Sequence, residues 1–517
     1  MTVDTGQVWA LKAFLLLSLF SNQVAAGQVS VEKIGLQYGS YRVGFQHYIV
    51  ADSSRSYQRS MDWSGDFIPR TIPVSLWYPA GQVLEQQKPL TVLDYMEIMK
   101  EEEEWEYLPN DHILNWFQYP NNASNLAHME ETTSAHYHLT PINARFPAVV
   151  YAPSYQASSI ENFLLCEYLA SHGYVVISSP SRGTENRWLT GGTALDMETQ
   201  ARDIEFLIAK VMNLPYVDPE KIGTVGFSFG GLSNVLSQMR NRYIKAVVSL
   251  DGSIKYRFAT LKSSPFYDIH KVDVPFIHMA QKDIPEKVLM EDGIDPDLNH
   301  QFEFYDSLLY SQAYQLKFHN LTHSYFSTLG VLFQTRDPRQ DKSDGDIMES
   351  YKWVAVYTLN FLEAFLNQNE GGINFKGSNP SDLGILGSLV TLNSKQAKEK
   401  TFDFQDFNEL ALKQNYKDLA GLYARLKKEH PSQVLPEGNL NNLGLQLVFN
   451  PSTAQQGIDV FLFALSLYPE SANLYDSLAE GYLSTGDLEK ARDNFKKSLA
   501  IYPENQNAIN RLKELNQ

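Results

Sequence analysis

At 517 residues, with 43% hydrophobic and 12% aromatic side chains, the chain has room for more than one domain and the makeup of a packed globular protein. Its formal net charge of −17 leaves no basic surplus to meet a phosphate backbone, which argues against a nucleic-acid partner. The single cysteine, Cys166, permits no intrachain disulfide; lying in "ENFLLCEYLASHG", it is expected to pack in a core.

In chain order, Lys12 precedes a short apolar run at 13–20, followed by Val24-Ala25-Ala26. This pattern reads as an export signal cleaved after Ala26, and the run is too short to span a bilayer. A secreted or periplasmic protein without a transmembrane anchor is therefore expected. From about residue 74 to 280 strand-like and helix-like stretches alternate. "PVSLWYP" at 73–79 is an alternating strand, and "FPAVVYAPS" at 146–154 is a continuous apolar one. A helix at 160–171 leads to the strand "GYVVISSPSRG" at 173–183. The next helix carries Ile204, Leu207, Ile208 and Val211 at i, i+3, i+4, i+7. Strands follow at "KIGTVGF", 245–251, 274–280 and 312–320, and a helix at 348–366 closes the domain. Strands buried on both faces between helices predict an α/β fold around a mostly parallel sheet. Residues 83–145 break the rhythm and are expected to run over the edge or mouth of the sheet. Within them the acidic run "EEEEWE" at 101–106 is expected to be a solvated helix face.

Residues 367–381 turn to Gly, Asn and Ser, the composition of a linker. Beyond them Gly457, Phe461, Ala464 and Pro469 recur as Ala491, Phe495, Ser498 and Pro503, each 34 residues on. That is the tetratricopeptide period. With Tyr475, Leu478, Ala479 and Tyr482, the second copy resembles the tetratricopeptide pattern. The resemblance implies paired helices, an all-helical module that either packs on the first domain or binds a protein partner.

The stretch "GTVGFSFGGLSN" sets Ser228 between Gly226 and Gly230. Gly-x-Ser-x-Gly alone is weak, with about 0.1–0.2 copies expected by chance in such a chain. Here a buried strand precedes it and a helix follows. A serine on so tight a turn is held out from the sheet, where glycines avoid collision and the helix N-terminus favours an oxyanion. Ser228 is thus the candidate nucleophile. Its base must come from downstream. His278 lies inside a strand and is expected to be packed; His319 and His323 follow the last strand, and His323, farther out, is preferred. As a metal pair, His319 and His323 lack a third acidic ligand and a helical pattern, so no metal site is expected. Two aspartates end strands within reach, Asp251 and Asp283, and either could orient an imidazole.

Taken together, "SLWYP", "FPAVVYAPS", "YLASHGYVVISSPSRG", "GFSFGG", "VVSLDGS" and "THSYFS" resemble the platelet-activating-factor acetylhydrolase and dienelactone-hydrolase-like branch of the α/β-hydrolases. The resemblance covers about residues 70–330. It implies Asp251 as the acid and His323 as the base; Asp283 stays the alternative acid by its position after the next strand. It also implies an oxyanion hole from the backbone N–H groups of Phe229 and Tyr155. Pro153-Ser154 departs from the His-Gly usual there. The organisation expected is a signal at 1–26, an α/β-hydrolase domain at 27–370, a linker at 371–405 and a tetratricopeptide helical domain at 406–517. The function expected is a cofactor-free serine hydrolase of carboxylic esters, short-acyl by resemblance, acting on a small-molecule or lipid ester. The alternative is an inert hydrolase fold that binds a protein partner through the repeats.

Overall fold

The computed structural model of the chain describes residues 29–57, 68–82, 87–184, 187–291, 293–333, 339–367, 380–399 and 402–515. The expected export signal at 1–26 lies outside them, as does most of the Gly/Asn-rich stretch after 367. The chain forms two compact units, one ending at Lys398 and the other covering Glu399–Gln517.

Among the described residues the first unit is built on a ten-stranded sheet. Its strands are β1 (Arg42–Tyr57), β2 (Ile68–Ala80), β3 (Ala135–Tyr137), β4 (Phe146–Ala152) and β5 (Val175–Ser178), then β6 (Val217–Phe227), β7 (Ile244–Leu250), β8 (Phe276–Ala280), β9 (Ala313–Phe318) and β10 (Val390–Lys395). They lie in the order β10-β9-β8-β7-β6-β4-β5-β2-β1-β3. The run from β5 through β4, β6, β7 and β8 to β9 is parallel throughout. β1 and β2 form an antiparallel ribbon on one side, and β10 pairs antiparallel with β9 on the other.

The central strands are apolar on both sides because helices cover both faces. Alternate residues of β4 divide between two cores: Val149 and Tyr151 join one, Ala148, Val150 and Ala152 the other. The first face is covered by α2 (Phe163–Ser171), α5 (Asp344–Leu362) and the segment beginning with α1 (Val92–Glu102). The second is covered by α3 (Ala194–Met212) and α4 (Phe229–Arg240). Cys166 is buried on α2, within the first core.

Two edges differ from the sequence reading. The sequence assigned no strand before residue 73, yet Arg42–Tyr57 is the long partner of β2, with Val43 and Phe45 buried at alternate positions. The expected linker at 371–405 contains β10, so the boundary at 370 is too early. Val390 and Leu392 alternate toward the core, and the backbone satisfies groups that β9 would otherwise leave unpaired. Polar neighbours hid this short strand in a linker-like composition.

A buried ionic cluster fastens the β1–β2 ribbon to α3. Asp203 accepts from Arg70 Nε at 3.0 Å and Nη2 at 2.7 Å, and from Arg55 Nη2 at 2.7 Å. Arg55 also reaches Asp52, and Arg70 the Gly183 carbonyl.

The second unit consists of α6 (Phe404–Lys413), α7 (Leu419–Glu429), α8 (Glu437–Val448), α9 (Ala454–Leu467), α10 (Ala472–Ser484), α11 (Leu488–Ile501) and α12 (Gln506–Glu514). Small residues set its spacing: a Cβ on Gly457 would meet the Gly444 carbonyl oxygen at 2.6 Å, so α8 and α9 lie almost backbone to backbone. Ala491, 34 positions later, is fully buried with Phe495.

Neutralising the carboxylate that two buried guanidinium groups share removes the negative charge between them and leaves Arg55 to Asp52. Asp203→Asn is expected to destabilise the first unit by about 3–5 kcal/mol, read as a lowered urea midpoint of its transition.

Candidate active site

β6 runs straight into α4, and the reversal is made at Ser228, whose φ of 53° and ψ of −115° are strained for a residue with a side chain. The strain is held by hydrogen bonds. The Ser228 N–H donates to the Leu250 carbonyl at 3.0 Å, and its own carbonyl accepts from Ser253 N–H at 2.8 Å and Gly231 N–H at 3.1 Å. Glycine is required on both sides by close approach. A Cβ on Gly226 would lie 2.5 Å from the Gly230 carbonyl, and one on Gly230 would collide with the carbonyl oxygen of Ala152. The start of α4 is thereby pressed against the 152–154 loop.

His323 opens a short 3-10 turn (His323–Phe326) beyond β9. Its Nε2 lies 2.9 Å from Ser228 Oγ and its Nδ1 2.5 Å from Asp251 Oδ2. With the proton on Nδ1 donated to the carboxylate, Nε2 is free to accept the serine hydroxyl. The Phe227 ring backs the imidazole at 5.0 Å between centroids. Asp251, just past β7, is 1% exposed and accepts two further bonds from Gln281, from N–H to Oδ1 and from Nε2 to Oδ2, both 2.9 Å. Burial would raise its carboxyl, but the hydrogen bond and charge of His323 with the Gln281 N–H outweigh this and hold it below the usual range.

The structure therefore brings Ser228, His323 and Asp251 into one line. Asp283 stands apart, half-exposed and paired with Lys317. His319 bonds Thr391 of β10. His278 is fully buried in β8, bonded to Ser249 Oγ at 3.0 Å, and burial pushes it down to about 3, so it is neutral. Among the described residues no group of three or more His, Cys, Asp or Glu is placed to hold a metal ion, and no helix is long and apolar enough to cross a membrane.

A cavity of about 360 Å³ opens over Ser228. The segment after β2 supplies one wall through Met99, Glu103, Phe117 and Tyr119, and Leu329 and Gly330 stand behind His323. Two buried carboxylates dock this wall. Glu102 accepts from Ser158 Oγ and from the N–H and Oγ of Ser159, and Glu167 of α2 accepts from Tyr95 OH at 2.7 Å and Ser134 N–H at 2.9 Å. Burial raises both carboxyls. The acidic run is thus not wholly solvated: Glu102 is 1% exposed and Glu103 faces the cavity. Beside Glu103, the Arg187 guanidinium bonds the Glu103 carbonyl and lies 4.2 Å from the Trp105 ring centroid and 4.8 Å from that of Trp188.

The oxyanion candidates adjoin one another. The Tyr155 and Phe229 rings meet edge to face at 5.7 Å, and Tyr155 OH accepts the Gly191 N–H at 2.8 Å. The Pro153 carbonyl accepts from Gln200 Nε2 at 2.8 Å. Sequence reasoning missed Gln281 and Glu161. Glu161, buried beside the cavity, accepts from the Ser154 N–H at 2.8 Å and Ser154 Oγ at 2.5 Å. No local pattern marks either residue; each acquires its meaning from a partner across a loop.

Residues 135–314 match the family model described as the Dienelactone hydrolase family. The matched stretch contains Ser228 and Asp251 and ends before His323. Esterase FrsA of Vibrio vulnificus, in strains YJ016 and CMCP6, is 30% identical over 132 residues. That alignment takes in 25% of this chain and only 30% of each relative's length. A ferulic acid esterase from Streptomyces cinnamoneus, a solved structure, superposes with a TM-score of 0.50 at 18% identity, covering 70% of this chain and 99% of that one. The fold is of the α/β-hydrolase type.

Because Gly230 meets backbone rather than a movable side chain, Gly230→Ala is expected to cost about 2 kcal/mol or more. A lower thermal midpoint for the first unit, read by calorimetry, is the measurement.

Proposed function

We propose that this chain is a serine hydrolase of carboxylic esters. The observation that carries the reading is the hydrogen-bonded line from Asp251 through His323 to Ser228, opening into a cavity beside a helix N-terminus. Ser228 Oγ attacks the ester carbonyl while His323 Nε2 takes its proton. The tetrahedral oxyanion is met by the N–H groups of Phe229 and Tyr155, and Asp251 steadies the imidazolium. Collapse breaks the bond to the alcohol, which leaves with the proton from His323. Water, activated by the same imidazole, then frees the acid and restores Ser228.

The Dienelactone hydrolase family match and the names of the two kinds of esterase support ester cleavage as the chemistry. The sequence resemblance further favours the platelet-activating-factor acetylhydrolase branch and a short acyl group, on a small-molecule or lipid ester. Export by residues 1–26 belongs to the same reading. The second unit is proposed to be a tetratricopeptide module on the strength of its 34-residue period and its closely packed helices.

The test is hydrolysis of p-nitrophenyl acetate, butyrate and octanoate, with fluorophosphonate labelling. Ser228→Ala is expected to lower kcat at least about a thousandfold and abolish labelling. Asp251→Asn is expected to cost about 10³- to 10⁴-fold in kcat, and Asp283→Asn less than about twofold. A folded wild-type protein that neither turns over nor labels would favour the inert binding protein instead.

A further inference from the structure

The loop after β4 carries Ser154 where its α/β-hydrolase resemblance calls for glycine, and the structure shows what the added hydroxyl meets. Both donors of Ser154 are taken by one carboxylate: its N–H by Glu161 Oε2 at 2.8 Å and its Oγ–H by Oε1 at 2.5 Å. The Ser154 amide is thus spent on Glu161, and the next amide along the loop is that of Tyr155.

Glu161 itself is anchored to the base. Its carbonyl accepts the Leu329 N–H at 3.2 Å, and its N–H donates to the Ser158 carbonyl at 3.2 Å. The adjacent Asn162 donates to the Phe326 carbonyl at 3.0 Å and accepts the Thr328 N–H at 3.0 Å. Residues 161–162 therefore tie the loop beside Ser228 to the segment that carries His323. The proposed reaction gives Glu161 no proton to move and no bond to make. Yet it is a nearly buried carboxylate on the cavity wall, an arrangement costly enough to need a compensating role.

We propose that Glu161 is a positioning residue for the oxyanion hole: by clamping the N–H and hydroxyl of Ser154 it fixes the loop so that the Tyr155 N–H faces the space above Ser228. The inference rests on the ester-hydrolase reading of that site. An ionised carboxylate accepts both donors, whereas a protonated one must find an acceptor for its own hydrogen and loosens the clamp. Burial pushes Glu161 up to about 7, only partly offset by the bonds from Ser154, the charge of His323 and the Tyr151 hydroxyl that donates to Oε2 at 3.4 Å, so the clamp tightens as pH rises through neutrality. The other titratable groups around it are Tyr151 on β4, Tyr119 on the cavity wall, His323, and Glu103 on the same cavity.

The experiment compares wild type, Glu161→Gln, Glu161→Ala and Ser154→Ala with p-nitrophenyl acetate across pH 5.5–9. A trifluoromethyl ketone that forms a hemiketal with Ser228 serves as transition-state probe. Glu161→Gln and Glu161→Ala are expected to lower kcat about tenfold to a hundredfold, since a misplaced oxyanion donor forfeits part of its effect. KM should stay within about threefold. The inhibition constant of the ketone should rise by the same factor as kcat falls, and the pH dependence of kcat should become shallower, with the dependence that the general base itself requires left in place. Ser154→Ala, which keeps the backbone donor, should lose less, and it carries the test if the Glu161 variants do not fold. Folded variants with unchanged kcat, ketone affinity and pH profile, or with losses confined to KM, overturn the proposal. A wild-type protein that is inert to esters and unlabelled by fluorophosphonate overturns the underlying reading and this inference with it.

Discussion

Backbone meets backbone where α4 begins, and the geometry of the site depends on that contact. Without side chains at 226 and 230, the helix can start directly beneath the 152–154 loop and force Ser228 into a left-handed conformation. Two of the three hydrogen bonds that hold Ser228 there end at Leu250 and Ser253, on the two sides of Asp251. Nucleophile and carboxylate are therefore fixed by one local arrangement, and only the imidazole must be delivered from far along the chain. That delivery is secured by Asn162, which accepts from Thr328 and Tyr351 while donating to Phe326.

The wall of the cavity is built on an exchange of buried carboxylates. Glu102 leaves the inserted segment to bond the loop after β4, and Glu167 leaves α2 to bond the inserted segment. Each is buried with its acceptors filled, the condition under which a buried polar group adds definition to a fold. Together with the aromatic clip around Arg187, they make residues 92–137 part of the packed body rather than a loose cover.

The sequence made the centre of the sheet legible and its margins obscure. Strands β4 to β8 announce themselves because burial on both faces demands apolar runs; Ser228 and Asp251 stand just past two of them, and His323 beyond the alternating β9. β1 alternates apolar and polar residues, a pattern with less contrast, and β10 sits among Asn, Ser and Lys. Their pairing depends on which edge is vacant, a tertiary fact. The choice between Asp251 and Asp283 was of the same kind: both end strands, but only Asp251 turns inward, while Asp283 finds Lys317. Glu161 reads locally as an ordinary residue before a helix. Its carboxylate becomes informative only once Ser154 folds back onto it.

His323 keeps 38% of its side chain in solvent although Asp251 beneath it is sealed at 1%. An acyl group on Ser228 would thus be attended by a base that the surrounding liquid can reach from one side. Which molecule ends the cycle then becomes a matter of competition at that opening. Water arrives in bulk, while any other acceptor must first find room in the cavity beside Tyr119 and Tyr155. Under the proposed ester-hydrolase reading, the open side of the imidazole gives water a direct path to the base.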